Sequence, residues 1–245
     1  MSTEKKEVAV VIGVGARDGL GAALCRRFAR EGLHAVAAGR TQAKLDKVAG
    51  EINDSGGSAS AIVADTTNDD DVSSLLDQAK DLGDIALAVY NAGNNWREDI
   101  LDLETETFEK IWRVCCQGGF IFGRESARRM LGQGHGTIIF TGATASIRSR
   151  PPFVAFASAK AGLRAVAAGM ARDFGPKGLH VAHTIIDGGI AGEKLLTRAP
   201  DLVKERGLDG MLGLDDMAHS YWLLHTQPRS AWTFELDMRP YKETF

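Results

Sequence analysis

The sequence contains no apolar run long enough to cross a bilayer. Its longest uncharged apolar stretch near the start, residues 8–15, falls far short of the roughly 18 residues that a spanning helix needs. Residues 1–7 are polar and mixed in charge rather than signal-like. These absences lead to the expectation of a cytoplasmic protein with no membrane partner. No run of Lys or Arg occurs either, and 29 basic against 32 acidic residues leave a net charge of -3. The electrostatic footprint of a nucleic-acid binder is therefore missing. Cysteine is scarce as well: Cys25, Cys115 and Cys116 are an odd count without metal-ligand spacing, and the adjacent pair cannot face the same way on a helix. They read as reduced packing residues, and no metal site is expected.

What is present suits one α/β domain. A chain of 245 residues that is 44% hydrophobic buries a sizeable core. Short β-branched runs at 8–12, 34–38, 59–64, 85–90, 136–140, 179–185 and 232–238 alternate with helical segments at about 20–31, 42–53, 69–80, 104–131 and 153–174. That alternation predicts a doubly wound Rossmann fold, a seven-stranded, mainly parallel sheet with helices on both faces, over residues 1–245. The one long irregular stretch, 188–214, follows the sixth strand's carboxyl end, where such folds bind ligands. It reads as a substrate-binding lid, with a plain surface loop as the alternative.

The first strand runs into Gly13-Val14-Gly15-Ala16-Arg17-Asp18-Gly19-Leu20-Gly21 and then a helix. Glycines there permit a tight turn and bring bare N–H groups to a helix amino terminus, which favours a pyrophosphate. The usual G-x-G-x-x-G spacing fails because Asp18 takes its last position. A G-x-x-x-G-x-G pattern fits instead at Gly15, Gly19 and Gly21.

Further landmarks appear in order: Asp65-Thr66 after the third strand, Asn91-Ala92-Gly93 after the fourth, and Ser158-Ala159-Lys160 in the fifth large helix. With the glycine turn, these make the chain resemble the short-chain dehydrogenase/reductase family over essentially its whole length. The resemblance implies a nicotinamide dinucleotide cofactor. Asp65 would hold the adenine amino group, Asn91, Ala92 and Gly93 would line the adenosine side, and Lys160 would clasp the nicotinamide ribose. Gly15, Arg17, Gly19, Leu20, Gly21, Arg40, Thr66 and Ile190 complete the expected cofactor set.

At the end of the second strand an NAD site usually carries a carboxylate against the ribose 2'-hydroxyl. Gly39-Arg40 stands there instead. Arg40, with Arg17, offers a guanidinium fork to a 2'-phosphate, so NADP(H) is expected over NAD(H). Asp18 opposes that choice if it faces the phosphate, or else caps the first helix.

The resemblance also exposes what is missing. A family tyrosine four residues before the lysine maps to Phe156, a serine thirteen residues earlier to Ala143, and a helical asparagine to Cys115. Only Lys160 survives. The chain's tyrosines, Tyr90, Tyr221 and Tyr241, all lie outside the segment from Ala143 to Lys160. Thr144 and Ser146 carry hydroxyls near the missing serine, or bond to local backbone. Asp187 stands where the family has a Pro-Gly pair, and serves as an acid or base, pairs with a cation, or simply makes an Asp-Gly turn. The histidines show no metal spacing or partner. Lys160, Thr144 and Asp187 are the catalytic candidates.

Small residues along the fifth large helix, together with Gly118-Gly119, admit a close helical neighbour. By resemblance a homodimer or homotetramer is expected, with Trp232, Tyr241 and Phe245 sealing a subunit contact or packing on their own domain. Two functions remain: an NADP(H)-dependent oxidoreductase acting on a small carbonyl or alcohol with a non-standard proton donor, or a catalytically inactive dinucleotide-binding protein that senses or scaffolds.

Overall fold

Side chains alternate between two buried faces along the first strand. In β1 (Glu7–Ile12), Val8, Val10 and Ile12 enter one apolar layer and Ala9 and Val11 the other. A strand buried on both faces belongs inside a parallel sheet covered by helices. The computed structural model describes residues 6–207 and 209–244; Phe245, expected in the aromatic tail, lies outside them. β2 (His34–Gly39), β3 (Ala59–Val63), β4 (Asp84–Tyr90), β5 (Gly136–Thr141), β6 (Leu179–Ile186) and β7 (Glu235–Met238) join β1 in a seven-stranded sheet of order β3-β2-β1-β4-β5-β6-β7. Every strand pair is parallel. The order reverses between β1 and β4, which opens a crevice at their carboxyl ends.

The helices in chain order are α1 (Leu20–Arg30), α2 (Gln42–Asp54), α3 (Asp69–Leu82), α4 (Thr105–Trp112), α5 (Gly118–Leu131), α6 (Val154–Phe174), α7 (Glu193–Arg198), α8 (Pro200–Arg206) and α9 (Leu214–His225). α1, α2 and α9 bury Phe28, Leu45 and Tyr221 on one face of the sheet. α3, α5 and α6 bury Leu76, Phe122 and Leu163 on the other. The doubly wound Rossmann arrangement is thus realised. No helix among the described residues is long and apolar enough to cross a membrane.

Four local departures from the sequence expectation have physical causes. The segment 104–131 is two helices joined by a π turn, Arg113–Gln117; the Tyr90 hydroxyl donates to the Val114 carbonyl, and the Thr66 hydroxyl donates to Tyr90 at 3.1 Å. Gly118 permits this approach, since a Cβ there would lie 2.6 Å from the Tyr90 hydroxyl. The stretch 188–214 is not irregular: it folds as α7 and α8, closed by a parallel bridge from Ile190 to Leu212. Helices this short leave little periodicity to read. α9 went unanticipated, although Met217, Ala218, Tyr221 and Leu224 are buried at helical spacing. Finally, β7 begins only at Glu235, and Trp232 precedes it, stacked on His180 with 5.0 Å between ring centres and 2° between planes.

Candidate dinucleotide and substrate site

Three glycines at the β1–α1 turn differ in what they make room for. Gly13 has φ +96°, and a Cβ on it would lie 2.4 Å from the Ala92 nitrogen. One on Gly21 would come within 3.0 Å of the Gly13 carbonyl oxygen. These two therefore serve the fold, drawing the turn against Asn91-Ala92, whose first residue donates its amide to the Ile12 carbonyl at 2.9 Å. Gly15 is different: a Cβ there meets nothing within 4 Å. The bare backbone at Gly15 fronts open space before α1, the place where a pyrophosphate would need it. Gly19 is the α1 N-cap and Leu20 its first buried residue. The chain thus fits the dinucleotide that its motifs imply.

Within the glycine turn, the Arg17 Nε donates to Glu51 at 2.6 Å, and its Nη1 lies 3.4 Å from Asp18. Arg17 is therefore engaged with α2, and Asp18 makes no side-chain cap on α1, which removes the capping alternative. Arg40 is exposed at the carboxyl end of β2. Asp65 Oδ1 accepts from the Thr67 amide and hydroxyl, both at 2.8 Å. Those bonds, with Arg40 nearby, hold the Asp65 carboxyl below its usual range against the opposing effect of burial. Its Oδ2 has no protein donor among the described residues. Thr66 is buried behind it.

Across the crevice from the glycine turn, Lys160 is 4% exposed and its Nζ donates to the Thr141 carbonyl at 2.7 Å. Burial lowers its pKa. No carboxylate pairs with it among the described residues. A Cβ on Gly93 would lie 3.3 Å from that Nζ and 3.8 Å from the Cys115 sulfur, so Gly93, Cys115 and Lys160 meet at one spot. Phe156 is half-buried against a small cluster that includes Ile111, Cys115 and Ala159, with the Lys160 ammonium 5.8 Å from its ring centre. Neither buried tyrosine reaches this place. Tyr90 holds the π turn, and Tyr221 bonds the hydroxyls of Thr141 and Thr184 at 2.8 Å each.

The candidate hydroxyls part company. Ser146 turns inward and accepts the Ala143 amide at 3.1 Å. The Thr144 hydroxyl instead donates to Asp187 Oδ1 at 2.5 Å. Asp187 is buried, its amide bonds the Met238 carbonyl at 2.9 Å, and two guanidiniums flank its carboxylate: Arg239 Nη1 3.4 Å from Oδ2 and Arg148 Nη2 3.9 Å from Oδ1. Gly188 has φ +141°, so Asp187-Gly188 is also a turn. Ile190 follows in the bridge to Leu212. Beyond it, the Glu193 amide donates to the Asp18 carbonyl at 2.7 Å, and a Cβ on Gly192 would lie 2.9 Å from the same oxygen. The segment past β6 is thereby fastened to the glycine turn.

Sequence reasoning missed Arg148 and Arg239, since no local signal distinguishes either from other surface arginines. It also left the histidines without partners, and this is corrected. His183 is fully buried, with Nδ1 3.1 Å from Glu235, which Arg164 clasps at 2.5 and 2.9 Å. Burial pulls the His183 pKa down to about 4. Gly142 accommodates it, since a Cβ there would lie 2.2 Å from the His183 Nε2. Cys25, Cys115 and Cys116 are buried and free, and the described residues hold no cluster suited to a metal ion.

The sequence pattern of the short chain dehydrogenase family matches residues 7–194. A short-chain dehydrogenase from Rhodopseudomonas palustris is 41% identical, with 96% of this chain and 99% of that one covered and a TM-score of 0.82. An uncharacterized oxidoreductase of Bacillus subtilis is 30% identical over 76% of this chain, a match that spans only 28% of that longer protein. A gluconate 5-dehydrogenase from Burkholderia cenocepacia, solved with NADP and tartrate, superposes with a TM-score of 0.83 at 23% identity, covering 96% of this chain and 94% of that one. The chain belongs to the short-chain dehydrogenase family, a nucleotide-binding oxidoreductase family with the Rossmann fold.

Proposed function

We propose that the protein is an NADP(H)-dependent oxidoreductase that acts on a small carbonyl or alcohol, with Thr144 and Asp187 replacing the proton-handling groups that Ala143 and Phe156 lack. The observation that carries this reading is the 2.5 Å bond from the Thr144 hydroxyl to Asp187, one residue past Ala143. A bound nicotinamide supplies or takes up hydride. When an alcohol is oxidised, Thr144 receives the substrate hydroxyl's proton as its own passes to Asp187; reduction runs the same path backwards. Lys160 orients the nicotinamide ribose from its buried position, and Gly15, Gly19 and Leu20 receive the pyrophosphate, while Gly21 lets α1 start close to the Gly13 carbonyl. Asp65, Thr66 and Asn91 to Gly93 line the adenosine side, with Ile190 beside the nicotinamide.

Support for NADP(H) comes from exposed Arg40 at the end of β2, where no carboxylate repels a 2'-phosphate. The NADP bound to the Burkholderia cenocepacia enzyme agrees with it. Arg17 would have to leave Glu51 to join that phosphate. Residues 188–214 act as the substrate-binding lid of a single domain. A homodimer or homotetramer fits the exposed Trp112 and Phe120 on α4 and α5, where a hollow of about 340 Å³ is lined by Phe108, Trp112 and Arg113.

A second reading, a dinucleotide-binding protein without turnover, draws on the inert Phe156 ring beside Lys160. NADPH oxidation across a panel of carbonyls separates the two. Turnover that falls at least tenfold in Asp187→Asn supports the enzyme; tight NADPH binding with no turnover of any panel member supports the second. Tighter binding of NADH than of NADPH would reverse the cofactor choice.

A further inference from the structure

Arg148 lies five residues past Ala143, in the loop after β5, and its amide bonds back to the Thr144 carbonyl at 2.9 Å. That turn puts the residue beside the proposed proton path, with its Nη2 3.9 Å from Asp187. Its apparent partner, Asp187, is already committed. One oxygen takes the Thr144 hydroxyl at 2.5 Å, and the other faces Arg239 at 3.4 Å. Arg148 approaches no closer than 3.9 Å, beyond hydrogen-bond reach. Its Nε is covered and has no hydrogen-bond partner. The side chain as a whole is 35% exposed, so it opens onto solvent on one side. With the Nε sealed in, the open part of the guanidinium is its Nη1 and Nη2 edge, which makes no hydrogen bond to the protein among the described residues and offers two parallel donors. That edge matches the two oxygens of a carboxylate.

The surrounding loops leave this edge unclaimed. Glu98 is taken by the Trp96 indole N–H at 2.8 Å, and its own amide bonds the Pro152 carbonyl at 2.9 Å. Arg97 lies over the Phe153 ring at 5.4 Å. The loops that border the substrate space are thus tied to each other, and Glu98 is spent without reaching Arg148.

We propose that Arg148 is a specificity-determining residue that binds a substrate carboxylate, so that the substrate is an oxo acid or hydroxy acid rather than a neutral ketone or alcohol. This rests on the oxidoreductase reading above and adds the substrate's charge to it. The carboxylate caps the Nη1–H and Nη2–H edge, while the reacting carbon is directed toward Thr144. An uncharged ester of the same acid keeps its shape but loses the ionic fork.

The test is calorimetric, with NADP⁺ present and its own binding measured first. The probes are 2-oxobutanoate, 3-oxobutanoate and 4-oxopentanoate, each against its methyl ester, titrated into the wild-type chain and into Arg148→Gln and Arg148→Lys. At least one acid is expected to bind tenfold or more tightly than its ester in the wild type. Arg148→Gln should abolish that difference with NADP⁺ affinity and melting temperature unchanged, and Arg148→Lys should restore part of it. Three results would overturn the proposal: no acid preferred over its ester, no acid or ester bound at all, or a preference that survives in Arg148→Gln. A wild-type chain that binds no dinucleotide refutes the underlying reading instead, and the separate NADP⁺ titration identifies that outcome.

Discussion

Replacing Gly15 by alanine should weaken dinucleotide binding while leaving the free protein as stable as before or more so. A Cβ at this position meets no protein atom within 4 Å, and its φ lies outside the left-handed region, so the folded chain accepts it. Gly→Ala at such a site stabilises by about 0.4–1 kcal/mol through the unfolded chain, or about 1–4 °C in melting temperature for a domain of this size. The added methyl occupies the space that a pyrophosphate needs. Hydrogen bonds to charged groups contribute roughly 1.5–3 kcal/mol each. Disturbing one or two of them costs about 2–4 kcal/mol, a loss of roughly 30- to 1000-fold in affinity. Calorimetric titration with NADPH reads the affinity, and melting with and without NADPH reads both effects. Gly21→Ala is the contrast, because its Cβ would press on the Gly13 carbonyl at 3.0 Å; crowding of this kind costs about 1–3 kcal/mol, so that variant should melt lower even without ligand. Gly15→Ala binding NADPH within threefold of the wild type would refute the assignment of this turn as the phosphate cradle.

Three further outcomes are expected. The double variant Phe156→Tyr with Ala143→Ser restores a phenol and a hydroxyl, and carbonyl reduction by it should exceed the wild type by about 10²- to 10⁴-fold; steady-state NADPH oxidation checks this, and equal rates would mean that these two groups are not what the native site lacks. Tyr221→Phe strips the Thr141 hydroxyl of its 2.8 Å partner while Thr184 keeps a weak contact to Phe140 at 3.4 Å. The expected loss is about 1–3 kcal/mol, measured as a lower urea midpoint. Stability should also fall as the pH drops from about 6.5 toward 4. Burial lowers His183 and His225 to about 4, so the unfolded chain takes up those protons first, and acid favours it. Urea midpoints at pH 7 and pH 5 test this, and identical values would show that neither histidine is held neutral by the fold.

Strand alternation, the glycine turn and the placement of Lys160 were readable because each depends on local spacing. Val8 to Ile12 declares a two-faced strand by itself, and the pattern from Gly15 to Gly21 is meaningful between a strand and a helix. Other features depend on partners far along the chain. Arg17 looked available for a phosphate until Glu51, thirty-four residues later, proved to hold it. His183 looked alone because Glu235 reaches it only when β7 pairs with β6. The π turn at Arg113–Gln117 is set by Tyr90 from a separate strand, so the helical period through that segment gave no notice of it. Arg148 escaped attention for the opposite reason: its meaning lies in a bond that it fails to make.

On the proposed reading, the contact of Gly192 and Glu193 with the Asp18 carbonyl would couple two ligands in time. With the base of the proposed cover hanging from the proposed phosphate loop, a nucleotide that settles that loop would also set the cover's starting position. Such a linkage favours an obligatory sequence of arrival, nucleotide before substrate, which product-inhibition patterns would reveal as competition between the two nucleotide forms alone.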